Sequence, residues 1–220
     1  MALSKLQYNS LNVTPSASKG IRFNSGANGF EAASAGGNLT LIKTITLASA
    51  AASISFVDGA SDVVLDGTYK EYIFYFNNIH PETNAESFKF NGSSDTGSNY
   101  NVTKTTSFFR ASADEADSST ALGYRTGADE AQGTGFQTLM SGVGGDNDQC
   151  GSGYLHLFDP SSTTFVKHFM ARATHSESSD YAYEQYMAGY FNTTSAVDAI
   201  QFKFGSGNID AGSISMYGVL

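Results

Sequence analysis

Four histidines, His80, His156, His168 and His175, are the side chains in this sequence best suited to holding a metal or moving a proton. A zinc site built from neutral imidazoles needs several of them converging from defined spacing. One pairing is within reach: a hairpin closing over Asp159 to Thr164 and centred at Ser162 sets His156 opposite His168. Two imidazoles are an incomplete ligand set, so a packed or hydrogen-bonded pair is expected there, with zinc the lesser reading.

The carboxylates are the next candidates. Asp146-Asn147-Asp148 follows Gly144-Gly145 as in a calcium loop, but Cys150 stands at a usual oxygen-ligand position and Leu157 where the bidentate Glu belongs. Asp58 and Asp62, and Asp114, Glu115 and Asp117, read as acidic turns. Two acids about 5 to 9.5 Å apart across a groove would serve glycoside hydrolysis, a spacing that sequence does not set. No serine has glycine at both −2 and +2, so the nucleophile elbow is missing. Gly133-Thr134-Gly135-Phe136-Gln137-Thr138 lacks the third glycine of a phosphate loop, and no helix follows it. Cys150 is the only cysteine, which excludes an intrachain disulfide and a thiolate zinc site. The expectation is no catalytic residue, no metal and no cofactor.

Tyr181, Tyr183, Tyr186 and Tyr190 form the densest aromatic cluster. They read as core or interface, with a receptor or glycan surface as the functional alternative. The lack of Trp weakens a sugar-stacking platform, although Tyr can substitute.

A formal charge of −9 disfavours a phosphate backbone as partner, because counterion release requires clustered Lys and Arg. No apolar run approaches the ~20 residues of a membrane helix, so no membrane insertion is expected. Met1 to Ser10 has neither the apolar core nor the cleavage pattern of a secretory signal.

The elements that must carry these residues divide at Asn38. Residues 1–38 hold Lys5, Lys19 and Arg22 against Glu31, so they are mildly basic while residues 39–220 carry the acid excess. In the first segment Leu6, Tyr8, Leu11, Ile21, Phe23 and Phe30 are isolated among Ser, Asn, Ala and Gly without period 2 or 3.6. The expectation is an extended N-terminal arm that docks through these six residues. Its end, Ala32-Ala33-Ser34-Ala35-Gly36-Gly37, has the composition of a flexible linker.

From Leu39 the pattern is that of strands, predicted near residues 39–47, 53–57, 71–79, 86–91, 100–109, 136–140, 153–158, 165–174, 184–191, 198–204 and 213–217. Asp66-Gly67, Asn91-Gly92, Gly144-Gly145, Asp159-Pro160 and Gly205-Ser206-Gly207-Asn208 supply turn chemistry, and residues 111–135 read as a long acidic loop. Glu71 to Phe76 and Tyr154 to Phe158 are apolar on both faces, so they are predicted to be central, covered strands. About ten strands without helices predict an all-β body, an antiparallel two-sheet sandwich of jelly-roll type preceded by the arm, with a barrel as the alternative.

Several segments of the body carry a resemblance. They are Tyr69-Lys70-Glu71-Tyr72 through Asn78-Ile79-His80-Pro81, Asn99-Tyr100-Asn101-Val102-Thr103-Lys104-Thr105-Thr106, and Thr163-Thr164-Phe165-Val166-Lys167-His168. The most specific runs from Gly189-Tyr190-Phe191-Asn192 to Gly212-Ser213-Ile214-Ser215-Met216-Tyr217-Gly218. Through them residues 39–220 resemble a family of virion structural proteins of marine tailed bacteriophages, of head-decoration or tail-appendage type. Met1-Ala2-Leu3-Ser4-Lys5 and Leu11-Asn12-Val13-Thr14-Pro15 are similar to arms that begin phage appendage proteins. The resemblance implies a particle protein, leaves head, tail and fibre open, and carries over no catalytic residue.

The combined expectation is a non-enzymatic structural protein of a tailed-phage virion, made in the bacterial host cytoplasm. Its arm anchors to another capsid or tail subunit, and its body decorates or stabilises the particle surface. Partners are copies of itself, a trimer by analogy. The alternative is a tail or fibre component that meets a host-surface glycan through the loop at 111–135 or the tyrosine cluster. A glycan hydrolase using acidic loop residues is the third reading.

Overall fold

Residues 19–34 and 38–220 are described by the structure, a computed structural model of the chain. The chain falls into two compact units, Met1–Asn38 and Leu39–Leu220.

In the first unit β1 (Lys19–Phe23) and β2 (Phe30–Ser34) pair antiparallel, with Phe23 opposite Phe30. Asn24-Ser25-Gly26-Ala27-Asn28-Gly29 makes the turn: Asn24 N donates to Gly29 O at 2.9 Å, and Asn24 Nδ2 to Asn28 Oδ1 at 2.9 Å. The described part of the expected extended arm is therefore folded back as a hairpin. Asn and Gly supply the turn that brings Phe23 and Phe30 together, their ring centroids 4.9 Å apart. Leu6, Tyr8 and Leu11 lie outside the described residues.

The body contains β3 (Leu39–Thr46), β4 (Ile54–Val57), β5 (Glu71–Pro81), β6 (Glu86–Ser93), β7 (Lys104–Asp114), β8 (Thr120–Tyr124) and β9 (Ala131–Gly133). It continues with β10 (Gln137–Val143), β11 (Gly151–Phe158), β12 (Lys167–Glu177), β13 (Tyr181–Phe191), β14 (Ala199–Phe204) and β15 (Ile209–Val219). All pair antiparallel in one thirteen-stranded, nearly barrel-like network. One layer follows the order β3-β15-β5-β11-β12-β13-β7-β8, with β9 also on β7; the other is β10-β6-β14-β4. A single ladder pair, Val143 with Glu177, joins the layers between β10 and β12.

What holds the layers together is side-chain packing. Phe56 of β4 lies 5.3 Å from Phe74 of β5, Phe88 of β6 lies 5.5 Å from Phe76 of β5, and Phe90 of β6 lies 5.3 Å from Phe169 of β12, all edge to face. Phe202 of β14 touches Phe74 and Phe76 from between them. These rings are almost wholly buried, and each contributes about 1.5–3 kcal/mol by leaving water.

Each of the eleven predicted strands overlaps one of these. Two expectations change. Residues 111–135 are not a structureless loop: β7 runs on to Asp114, and β8 and β9 pair with it, because Thr120, Leu122 and Tyr124 alternate with Ala121 and Gly123 on a short antiparallel ribbon. The body thus holds thirteen strands where about ten were expected. Asn91-Gly92 is not a turn but lies buried inside β6. There Asn91 Nδ2 donates to the carbonyls of Tyr100, Thr134 and Gly135, tying two loops to the strand.

Glycines mark the tightest approaches. A Cβ on Gly153 would stand 2.4 Å from Arg172 O and 2.6 Å from Ala173 Cα, both backbone, whereas one on Gly123 would meet nothing. We expect Gly153→Ala to lower stability by about 1–3 kcal/mol and Gly123→Ala to change it by less than about 0.5 kcal/mol. Urea unfolding of the two variants checks this.

Candidate functional site

Strand alternation sends every second side chain of the larger layer away from the phenylalanine core. Along one row of neighbouring positions this outer face presents Tyr75 of β5, Tyr154 of β11, Arg172 of β12, Tyr186 of β13, Phe109 of β7 and Tyr124 of β8. Tyr217 of β15 extends the row, 5.6 Å from Tyr75, and Tyr154 stands 6.3 Å from Tyr75 on the other side. The Arg172 guanidinium lies 5.3 Å from the centre of the Tyr186 ring, which stacks on Phe109 at 4.7 Å and 7°. The result is a belt of aromatic side chains crossing seven strands.

A second row beside the belt runs Leu41, Tyr217, Ile73, His156, Met170, Ala188 and Ser107. Small residues there, Ala188 and Gly189, leave a groove of about 520 Å³ walled by Phe158, His168, Met170 and Tyr190. It continues into a depression of about 540 Å³ bordered by Asp159, Thr164 and Phe165. Among the described residues, neither Tyr190 Oη nor a ring nitrogen of His168 has a hydrogen-bond partner, although the two rings lie 5.9 Å apart.

Charge on these rows is sparse and internally matched. Glu71 pairs with His156 Nδ1, and Glu184 is held by the Arg172 guanidinium; that contact raises the pKa of Arg172, and hydrogen bonding to Tyr186 first, then to Arg172, lowers that of Glu184. Asp159 and Asp129 stand at the rim, accepting from Lys70 Nζ at 3.0 Å and Tyr124 Oη at 2.7 Å.

Two sequence expectations are corrected here. His156 faces Met170, not His168, because the β11–β12 ladder is displaced by two residues from a hairpin centred at Ser162. The connection between β11 and β12 is longer than a hairpin closing over Asp159 to Thr164: Asp159 N donates to Lys70 O, and Val197 N to Pro160 O, so the segments leading into β5 and β14 hold it. The four tyrosines of β13 do not form one surface. Tyr186 and Tyr190 point outward, while Tyr181 and Tyr183 have the opposite parity. Tyr183 instead packs beneath the Arg110 guanidinium, 3.8 Å from its ring centre, and beside His175 at 5.4 Å.

The acidic residues serve the backbone. Asp114 accepts from Ser118 N and Ser119 N, both at 2.8 Å, and the Ser118 hydroxyl first, then these backbone bonds, hold its carboxyl below the usual range. Asp58 Oδ1 accepts from Leu65 N at 2.8 Å, and the carbonyl of Asp146 meets His80 Nε2 at 3.2 Å. Among the described residues no three His, Cys, Asp or Glu side chains converge on a common point.

The sequence reading missed the belt. Its signal was the two runs apolar on both faces: Phe74 and Leu155 fill the core, while Tyr75 and Tyr154 are the outward half of the same strands. Comparison with protein-family models, curated proteins and solved structures returns no match.

Buried bases offer a direct check of the packing. His175 lies almost wholly buried, its Nε2 bonded to Ser141 O at 2.9 Å and its Nδ1 without a partner. Burial pushes its pKa down to about 4, against the Ser141 bond, which favours the charged ring. Lys104, also buried, donates to Gly135 O at 2.5 Å, and burial lowers its pKa to about 8 although Glu130 opposes this. In both cases the unfolded chain binds the proton more tightly, so stability rises with pH across each window. We expect stability to fall on acidification from about pH 6.5 to 4, a loss that His175→Gln removes. A rise from about pH 8 to 10.5 should be absent in Lys104→Met. Denaturant midpoints across pH, variant against wild type, test both.

Proposed function

We propose that this chain is a non-enzymatic structural protein of a tailed-bacteriophage virion, anchored by its N-terminal segment to a capsid or tail subunit, with its β body decorating or stabilising the particle surface. The observation that carries this reading is the hairpin of β1 and β2. Among the described residues its strands pair with each other alone, and Ile21, Phe23 and Phe30 are exposed, Phe23 at 67%. A lone two-stranded ribbon is marginal in water, so this one calls for a receiving surface that covers those three side chains. The resemblance of residues 39–220 to phage virion proteins supports the particle as the place where that surface is found. A body held by packed phenylalanines, whose acidic side chains serve turns, suits a load-bearing role. In this reading copies of the chain assemble with one another as well as with the anchoring subunit. Jelly-roll topology, shared by many particle proteins, is the finer fold that this reading carries.

A second reading, a tail or fibre component that meets a host-surface glycan, is favoured by the groove beside the belt. Tyr190 and Phe158 offer ring faces, and Tyr190 Oη and His168 offer free polar atoms, the combination with which proteins hold sugars.

Deleting residues 2–37 should leave a folded body that no longer associates with particles, and Phe23→Asp in the full chain should weaken incorporation about tenfold or more. Co-sedimentation of purified particles with the added protein tests this. Undiminished incorporation of the deletion variant would remove the anchoring role.

A further inference from the structure

We infer that the outer face of the larger layer, centred on Arg172 and Tyr186, is the surface through which copies of this chain pack against one another. The inference rests on the part of the proposed function in which copies assemble, and not on the virus particle. Three observations carry it.

The first is exposed apolar surface in one continuous area. Leu41 is 53% exposed, Met170 49% and Leu122 75%, and all stand on neighbouring outward rows with Phe109 and Tyr124. Scattered exposed side chains are ordinary, but a connected patch of this kind marks an interaction surface. The face spans eight strands and about six residues along each, roughly 33 Å by 20 Å or about 650 Å² before side-chain relief is counted. A stable protein interface takes about 800 Å² from each partner.

The second is charge. The chain carries −9, so two copies repel wherever their acidic surfaces meet. Among the described residues the carboxylates on the outward rows are Glu71 and Glu184; Glu184 is neutralised within its own chain by Arg172, and Glu71 is hydrogen-bonded to His156 Nδ1. Depletion of net charge from the centre of a patch, with aromatic side chains and Arg enriched, is the composition of an interface core. This is the face on which a strongly acidic chain can approach its own copy with few opposing like charges. A basic partner would instead be drawn to the acidic loops.

The third is self-complementarity. Arg172 and Glu184 are neighbours on adjacent strands, so the face presents both signs at its centre. Symmetry places the Arg172 of one copy against the Glu184 of another while the tyrosine and phenylalanine rings interleave around them. The groove at Ala188 and Gly189 would receive a projecting side chain from the opposite copy, with Met170 at its wall.

Sedimentation velocity of the full chain at tens of micromolar, compared with Met170→Glu, Phe109→Glu and a control, Ser94→Glu in an exposed loop, tests the inference. The expected result is an oligomer for wild type and control, and monomer, or dissociation at about tenfold or more higher concentration, for both face variants. Both replaced side chains are about half exposed, so the variants should retain the circular dichroism of the wild type. A readout that needs no substitution runs in parallel. Met170 is the exposed methionine among the described residues, whereas Met140, Met187 and Met216 are buried. Its oxidation by dilute peroxide should slow several-fold as the protein is concentrated into the oligomeric range. A wild-type monomer, an oligomer whose mass the face variants leave unchanged, or Met170 oxidation independent of concentration would each overturn the inference. None of these results depends on particle binding, so failure here and failure of the anchoring role are separable.

Discussion

The packing of phenylalanine rings across the space between the two layers is the interaction on which everything else in the body depends. The layers share one ladder pair, Val143 with Glu177, flanked by the backbone bonds Gly144 N to Ser176 O and Ser178 N to Gly142 O, so the ladders cannot by themselves hold one layer over the other. Phe56, Phe88, Phe90 and Phe202 from the smaller layer interlock with Phe74, Phe76 and Phe169 from the larger. Edge-to-face rings are directional as well as apolar, which fixes the offset between layers that a core of Leu and Val would leave looser. With one face of each strand committed to that lock, the alternation of the chain decides what the other face shows.

That division explains which parts of the molecule could be read in advance. The eleven strands foreseen from alternation or apolar runs all exist, because those patterns report burial, and burial is what the phenylalanine lock requires. Glu71 to Phe76 and Tyr154 to Phe158 are central strands as their composition implied, β5 between β15 and β11, and β11 between β5 and β12. The cover expected over both faces is complete on one and partial on the other, where Ile73 is buried but Tyr75 and Tyr154 are partly open.

The features that escaped are those set by partners distant in sequence. The offset of two residues in the β11–β12 ladder comes from Lys70 and Val197 holding the intervening loop, contacts that no local turn rule contains. β8 and β9 are short and mostly exposed, and they exist because β7 offers an edge. The tyrosine cluster looked like a unit in the sequence, yet period-two geometry sends Tyr186 and Tyr190 to one side and Tyr181 and Tyr183 to the other. Asn91-Gly92 has the chemistry of a turn and is used as a buried clamp on two loops. In each case the residue types were plain and the spatial neighbour was not.

The pairing of the first and last strands of the body has a further consequence. Leu39 lies directly opposite Val219 in the β3–β15 ladder, so the body begins and ends at adjacent points, about 5 Å apart between Cα atoms. The polypeptide path is close to a ring with one cut in it. Which cut is used does not matter to the strand network: joining 39 to 219 through a short linker and opening the exposed turn at Ser178–Asp180 would preserve all the body's strand pairings in a circularly permuted chain.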